Sequence, residues 1–337
     1  MKLTLDNIKE ITMGAERITE ENGLIRFYRF TEAEEKHYED RNTEFYHKTF
    51  APAGIKLSFK TDSRRLFLSG EVARATTRSY YSFDVFVNGE VLGHIDNFSD
   101  KEIPDNYALM PLDLGKFSKE FDLGVGEKTV TVYMPWSVKV AFSEISLDDG
   151  ASCMGVKPDK TILVLGDSIT QGYDVLRPSN AYSVKLCELL RAEGINKAIG
   201  GDGFFPEFLK TVDNTSPDYI TVAYGTNDWS ALSKEVFEDN CRNYYKMLAQ
   251  KFPKSKIFAI TPIWRKSMNE EKPVGKFSYV EEYIREVTKD IDNIEVISGF
   301  MFVPHDESFY GDLVLHPNDK GFLCYFNNLK NEIMKYL

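Results

Sequence analysis

Residues 162–172 read Ile162-Leu-Val-Leu-Gly-Asp-Ser-Ile-Thr-Gln-Gly172. The run Ile162–Leu165 is short and wholly apolar, the pattern of a strand buried on both faces of a parallel sheet. It ends on Gly166-Asp167-Ser168, a tight turn leading toward a helix. A serine on such a turn exposes its hydroxyl among backbone N–H groups. The hydroxyl is a weak nucleophile until a base takes its proton. Ser168 is therefore either an activated nucleophile or the helix-capping serine of a glycine-rich turn. The rest of the chain has to supply the base.

Outward from this stretch, strands and helices alternate. Asn196–Ile199, Tyr219–Ala223, Ile257–Thr261 and Ile294–Ile297 read as further strands. Residues 181–192, 233–251, 279–290 and 318–336 read as helices, with Pro317 as a start signal for the last. This alternation predicts an α/β domain, an open parallel sheet with helices on both faces and its site at the C-terminal strand ends. Three more segments fall at such ends. Ala198-Ile-Gly-Gly-Asp-Gly203 has glycines that let backbone amides approach a ligand, or that make an ordinary turn. Tyr224-Gly-Thr-Asn-Asp228 offers Asn227 as a donor to a developing oxyanion, or as an Asx turn. Asp312-Leu-Val-Leu-His-Pro-Asn-Asp319 offers His316, which can act as base and then acid near neutral pH.

Together the four segments resemble the SGNH hydrolases, also called the GDSL esterase family. Its blocks centre on Ser, Gly, Asn and His in that order, matched here by Ser168, Gly201, Asn227 and His316. The resemblance covers about residues 160–337. It implies an SGNH-type three-layer α/β/α domain with a five-stranded parallel sheet. It also implies that Ser168 attacks an ester carbonyl with His316 as general base and no cofactor. The implied oxyanion hole is the Ser168 N–H, the Gly201 N–H and the Asn227 side chain. Gly201 is preferred over Gly200 and Gly203 because the family's oxyanion glycine often precedes a small polar residue, here Asp202.

One departure stands out. The family's aspartate usually lies three residues before the histidine, where this chain has Leu313, and Asp312 lies one position earlier. A fully extended segment would put Asp312 and His316 ~13 Å apart along the strand. A turn or helical geometry would bring them within reach. Asp312 thus either completes a triad, or a Ser168–His316 dyad operates. Asp228 and Asp319 read as structural.

The first half has a different grammar. Leu24–Phe30, Ile55–Phe59, Arg65–Leu68, Tyr81–Val87, Lys128–Met134 and Val138–Phe142 read as short strands, and Asn88-Gly89 signals a hairpin. With few helical patterns, this half predicts an all-β sandwich, jelly-roll-like. Asp148–Pro158 reads as a linker, giving an accessory domain over 1–150 and a catalytic domain over 151–337. The layout resembles the two-domain enzymes of carbohydrate esterase family 2, which implies an acetylated oligosaccharide as substrate and removal of its O-acetyl groups. Trp229, Trp264 and Tyr224, beside the motifs, are candidates for substrate contact, as is Trp136; core or interface packing is the other reading of each tryptophan. Two further readings stay open: an esterase, lipase or thioesterase on a non-carbohydrate ester, and a catalytically silent sugar-binding protein.

The 337 residues carry a net charge of −11, which disfavours nucleic acid and anionic membrane surfaces as partners. No apolar run approaches the ~20 residues of a membrane span. The first residues, MKLTLDNIKE, lack the pattern of a signal peptide, so a cytoplasmic location is expected. Cys153, Cys187, Cys241 and Cys324 have no CxxC spacing and read as free thiols. His37, His47, His94 and His305 lack metal-ligand spacing. The oligomeric state has no signature in the sequence.

Overall fold

The computed structural model describes residues 1–212 and 216–337. Its parallel sheet runs in the order Ala192–Asn196, Lys160–Gly166, Tyr219–Ala223, Lys256–Ile260, Ile294–Ile297. The strand first in sequence lies between the next two. The chain therefore reverses its direction of travel across the sheet there, and a crevice opens at that strand's C-terminal end. Ser168 stands at this end.

Ile162–Leu165 is apolar throughout because successive side chains enter different cores. Ile162 and Val164 join Phe258, Leu186, Phe322 and Leu329 on one face. Leu163 and Leu165 join Val222, Phe237, Tyr244 and Ile284 on the other. Helices Tyr182–Leu190 and Asp319–Ile333 cover the first face, and Lys234–Lys251 and Ser278–Thr288 cover the second. The second strand departs from the sequence reading. The helix before it stops at Leu190, Arg191 takes a left-handed φ of 49°, and the strand is Ala192–Asn196 rather than 196–199. Paired on one side only, it is half-buried and carries too polar a sequence to stand out.

The first half forms two antiparallel sheets packed face to face. One runs Thr12–Met13, Lys56–Thr61, Lys128–Tyr133, Ser82–Val87, Glu90–Asp96. The other runs Arg17–Glu21, Leu24–Tyr28, Val138–Leu147, Arg65–Arg74, Lys116–Asp122. Phe83 of the first sheet packs 4.8 Å from Phe117 and 5.6 Å from Phe142 of the second. Asn88 and Gly89 turn the expected hairpin with φ of 52° and 86°. The segment read as a linker is partly strand, since Met154–Gly155 pairs with Phe59 and Lys60.

Three helices of the first half escape the sequence reading, Leu5–Ile11, Glu32–Arg41 and Thr43–Thr49, as does the short helix Thr226–Ala231 of the second half. Glu32–Arg41 is almost wholly polar and has no apolar stripe, so periodicity is silent. Its signal is the capping box Thr31-Glu-Ala-Glu34, in which the Thr31 hydroxyl accepts from the Glu34 N–H and Glu34 accepts from the Thr31 N–H. Leu5–Ile11 packs Ile8 and Ile11 into the sandwich core, whereas Glu32–Arg41 and Thr43–Thr49 reach across to the parallel-sheet domain. Tyr38 and Phe30 lie in its core, and buried Lys197 pairs with Glu34 and Glu16 at 2.7 and 2.8 Å. All four cysteines are free. Among the described residues, no helix is long and apolar enough to cross a membrane.

Candidate active site

The strand Lys160–Gly166 delivers Asp167, whose carboxylate caps the short helix Ser168–Gln171 by accepting from the Ile169 N–H at 3.0 Å. Ser168 is the first residue of that helix, so its own N–H has no intrahelical acceptor. Gly166 is required because a Cβ there would collide with Thr170. The Ser168 hydroxyl lies 2.8 Å from His316 Nε2, and His316 Nδ1 lies 2.6 Å from Asp312 Oδ2.

The displaced aspartate reaches the imidazole because the segment is a closed turn. Leu313 takes a left-handed φ of 59°, and the other oxygen of Asp312 accepts from the N–H groups of Val314, Leu315 and His316 at 2.9, 2.8 and 3.0 Å. Burial would push the Asp312 carboxyl up. The hydrogen bond and charge of His316, then the Leu315 and Val314 N–H groups, outweigh it and hold Asp312 well below the usual carboxylate range. Tyr173 packs against the His316 ring at 5.4 Å, and Trp136 packs behind Tyr173 at 4.8 Å.

The loop 200–203 is tied to Ser168's helix through Gln171. Gly200 N–H donates to Gln171 Oε1 at 2.8 Å, and Gly203 N–H donates to Asp202 Oδ1 at 2.9 Å. The Gly201 N–H, at φ 91°, has no acceptor among the described residues. Asn227 Nδ2 donates to the Asp202 carbonyl at 2.8 Å, which leaves its second amide hydrogen unused. Of the three glycines, hydrogen bonding thus singles out Gly201. A hydroxyl on an oriented imidazole, beside free N–H donors, can attack a carbonyl and stabilise the oxyanion that forms.

The aromatic candidates separate. Trp229 is fully buried, donates to the Gly275 carbonyl at 2.8 Å and packs on Phe277 at 4.9 Å. Tyr224 is buried against Phe204 and Tyr244. Neither offers a face to a sugar, because both point into the core below the sheet end. Trp136 is an interface residue that donates to the Val175 carbonyl at 2.8 Å. Trp264 alone is partly exposed, stacked on His305 at 5.7 Å and packed on Tyr310. Asp319 is structural as read, accepting from the Leu176 and Arg177 N–H groups and from Asn180. A cavity of about 960 Å³ follows the fourth and fifth strands and is lined by Pro262, Phe277, Glu281, Arg285 and Phe300; Ser168 and His316 do not line it.

Residues 164–322, which include all four motifs, match the GDSL-like lipase/acylhydrolase family model. They form a GDSL-like domain. Solved structures resemble the chain over both of its halves. A salicylyl-acyltransferase from a tetracycline biosynthetic pathway is 17% identical, with a TM-score of 0.77 over 96% of this chain and 94% of that one. A family two carbohydrate esterase from Clostridium thermocellum, solved with cellohexaose, is 16% identical, with a TM-score of 0.62 over 85% and 95%. An acetyl xylan esterase from the rumen bacterium Butyrivibrio proteoclasticus is 14% identical, with a TM-score of 0.63 over 100% and 98%. At these identities the likeness is one of fold. No protein of curated function matches the chain by sequence.

The GDSL-like domain also brings in groups that no motif flagged. Asp174 is buried with its carboxylate 3.8 Å from His316 Nδ1. Two side chains of the first half hold it: Arg78, which donates to both carboxylate oxygens at 2.6 and 3.2 Å, and Tyr80, at 2.6 Å. Nothing near residue 174 marks it in the sequence, because its partners lie almost a hundred residues away. Asp167 and Asp228 are both pushed up to about 7 by burial. Asp228 accepts from the Phe204 N–H at 2.9 Å with one oxygen, while the other has no hydrogen-bond partner among the described residues.

Proposed function

We propose that the protein is a serine esterase that removes O-acetyl groups from carbohydrates through an acyl-Ser168 intermediate. The observation that carries the reading is the continuous Ser168–His316–Asp312 relay, at 2.8 and 2.6 Å, together with a Gly201 N–H that has no acceptor among the described residues. His316 Nε2 takes the Ser168 proton as Oγ bonds to the ester carbon. The Ser168 and Gly201 N–H groups and the Asn227 amide hold the oxyanion, and Asp312 stabilises the imidazolium. His316 then gives the proton to the departing sugar hydroxyl. Water repeats the sequence: it loses a proton to His316, bonds to the acyl carbon, and acetate leaves as Ser168 recovers its proton.

Ser168 is 4% exposed, which suits a small acyl group. The carbohydrate half of the proposal draws support from the two-domain likeness to the carbohydrate esterase and the acetyl xylan esterase, and from Trp264 at the partly exposed edge. We place the accessory domain at 1–150 and the catalytic domain at 151–337, with the first helping to shape the site. The fold likeness to the salicylyl-acyltransferase favours a second reading, in which an alcohol replaces water as the acyl acceptor.

One set of assays tests these readings. Ser168→Ala should abolish p-nitrophenyl acetate hydrolysis with circular dichroism unchanged. Acetylated oligosaccharides should lose acetyl groups by mass spectrometry. Turnover retained by Ser168→Ala would refute the nucleophile. Acyl transfer to added alcohols outrunning hydrolysis would favour the second reading.

A further inference from the structure

We propose that Lys48 is a positioning residue for the oxyanion hole, acting through the Gly200–Gly201 peptide; the inference rests on the proposed role of the Gly201 N–H. Lys48 Nζ donates to the Gly200 carbonyl at 2.7 Å. That carbonyl and the Gly201 N–H belong to one planar trans peptide unit and point in opposite directions. Fixing the carbonyl therefore aims the N–H. A cation on the carbonyl oxygen also draws electron density toward it and makes the N–H at the far side of the same unit a stronger donor.

The restraint matters because this peptide joins two glycines, and Gly201 already holds a φ of 91°. Glycine permits a peptide flip at little steric cost. A flipped unit would present its carbonyl oxygen to the oxyanion and its N–H to the ammonium, so Lys48 opposes the flip directly. Among the described residues its one hydrogen bond is to the Gly200 carbonyl, and no carboxylate pairs with it within 4.0 Å. The Phe45 ring lies 5.2 Å from the same nitrogen, and a Cβ on Gly201 would approach that ring at 3.1 Å. Lys48 and Phe45 thus both pack against the loop.

The same pair of helices grips the next residue. Tyr38 donates to Asp202 Oδ2 at 2.9 Å and Arg41 to Asp202 Oδ1 at 2.6 Å, and the Asp202 carbonyl is the acceptor that orients Asn227. One helical segment of the first half therefore sets the direction of one oxyanion donor and supports a second. This gives that half a direct part in the chemistry, separate from any contact with substrate.

Losing an oxyanion donor outright costs ~10²–10³ in rate, so losing the group that aims one should cost ~10-fold in kcat. The test uses the full chain and p-nitrophenyl acetate. Lys48→Met should lower kcat about tenfold or more with KM within about twofold, and Lys48→Arg should restore most of the loss. Thermal stability measured alongside should not track kcat across the series. A Lys48→Met kcat within about twofold of the parent would overturn the proposal, as would Lys48→Arg performing no better than Lys48→Met. If Lys48→Met does not fold, Lys48→Arg against Lys48→Gln decides: a higher kcat for the cation supports the proposal, and equal or reversed values overturn it. Ser168→Ala separates the levels. Turnover retained there refutes the nucleophile itself, whereas its loss together with an unaffected Lys48→Met refutes Lys48 alone.

Discussion

Replacing Asp312 with asparagine isolates the carboxylate from the geometry it supports. Asp312 uses one oxygen on His316 Nδ1, at 2.6 Å, and the other on the N–H groups of residues 314–316. Asparagine offers one oxygen and one amino group. With its oxygen toward the backbone, the amino group meets Nδ1, which must then accept. The imidazole proton moves to Nε2, the atom that has to receive the Ser168 proton. The opposite orientation sets an amino group against three backbone donors and forfeits three hydrogen bonds at ~1 kcal/mol each. The first orientation wins, and it holds the wrong tautomer. The same exchange in a serine protease triad costs ~10⁴ in kcat. Here Asp174 keeps a second carboxylate 3.8 Å from Nδ1, which still favours an imidazolium. We expect a loss of ~10²–10³ in kcat/KM, or ~3–4 kcal/mol. His316→Ala should lose more, since it removes the base itself. The assay is p-nitrophenyl acetate hydrolysis by both variants at one pH, with folding checked by circular dichroism. Unchanged activity in Asp312→Asn would refute the triad in favour of a Ser168–His316 dyad. A loss equal to that of His316→Ala would refute the compensating role given to Asp174.

Asn227→Ala should lower kcat by ~10²–10³ while KM changes little, because an oxyanion donor acts in the transition state; steady-state kinetics showing a purely KM effect would contradict this. Arg78→Met should leave buried Asp174 without its cationic partner, with Tyr80 still donating to it, and cost ~3–5 kcal/mol in urea unfolding, a loss that Asp174→Asn in the same chain should partly recover. A cost below ~1 kcal/mol would mean that the interface relaxes around the unpaired charge. Asp228 is held at about 7 in the folded chain, above its unfolded value near ~4, so stability from this group falls as pH rises through that window. Asp228→Asn should therefore raise Tm at pH 8 and change it little at pH 4.5, with ~1 kcal/mol appearing as about 2–4 °C; a gain independent of pH would refute the buried-charge explanation.

What could be read from the chain was local. The strand, turn and serine of residues 162–168 are contiguous, and so are the glycine, asparagine and histidine segments at later strand ends. The Asn88-Gly89 hairpin is a two-residue signal. The edge strand Ala192–Asn196 carries no legible signal because, with one flank unpaired, it needs no apolar run. Glu32–Arg41 has almost no apolar face, so only its capping box marks it in the sequence. Trp229 and Tyr224 sit beside motif residues yet face the core, and adjacency along the chain does not say which side of the sheet end a ring occupies.

The sequence by itself determined the family-like order of Ser168, Gly201, Asn227 and His316 and the two-part layout. Residue type and order along a strand-and-helix pattern are sufficient for both. Tertiary structure decided the remainder. It closed the turn at Leu313 that brings Asp312 to the imidazole, through three backbone hydrogen bonds that no glycine announces. It occupied the Gly200 and Gly203 N–H groups and left that of Gly201 without an acceptor among the described residues. It also set Lys48 on the Gly200 carbonyl and Arg78 on Asp174, pairings of residues about 150 and 100 positions apart. Such pairs depend on how the two halves of the chain dock, and that is settled by packing across the whole molecule rather than by any window of the chain.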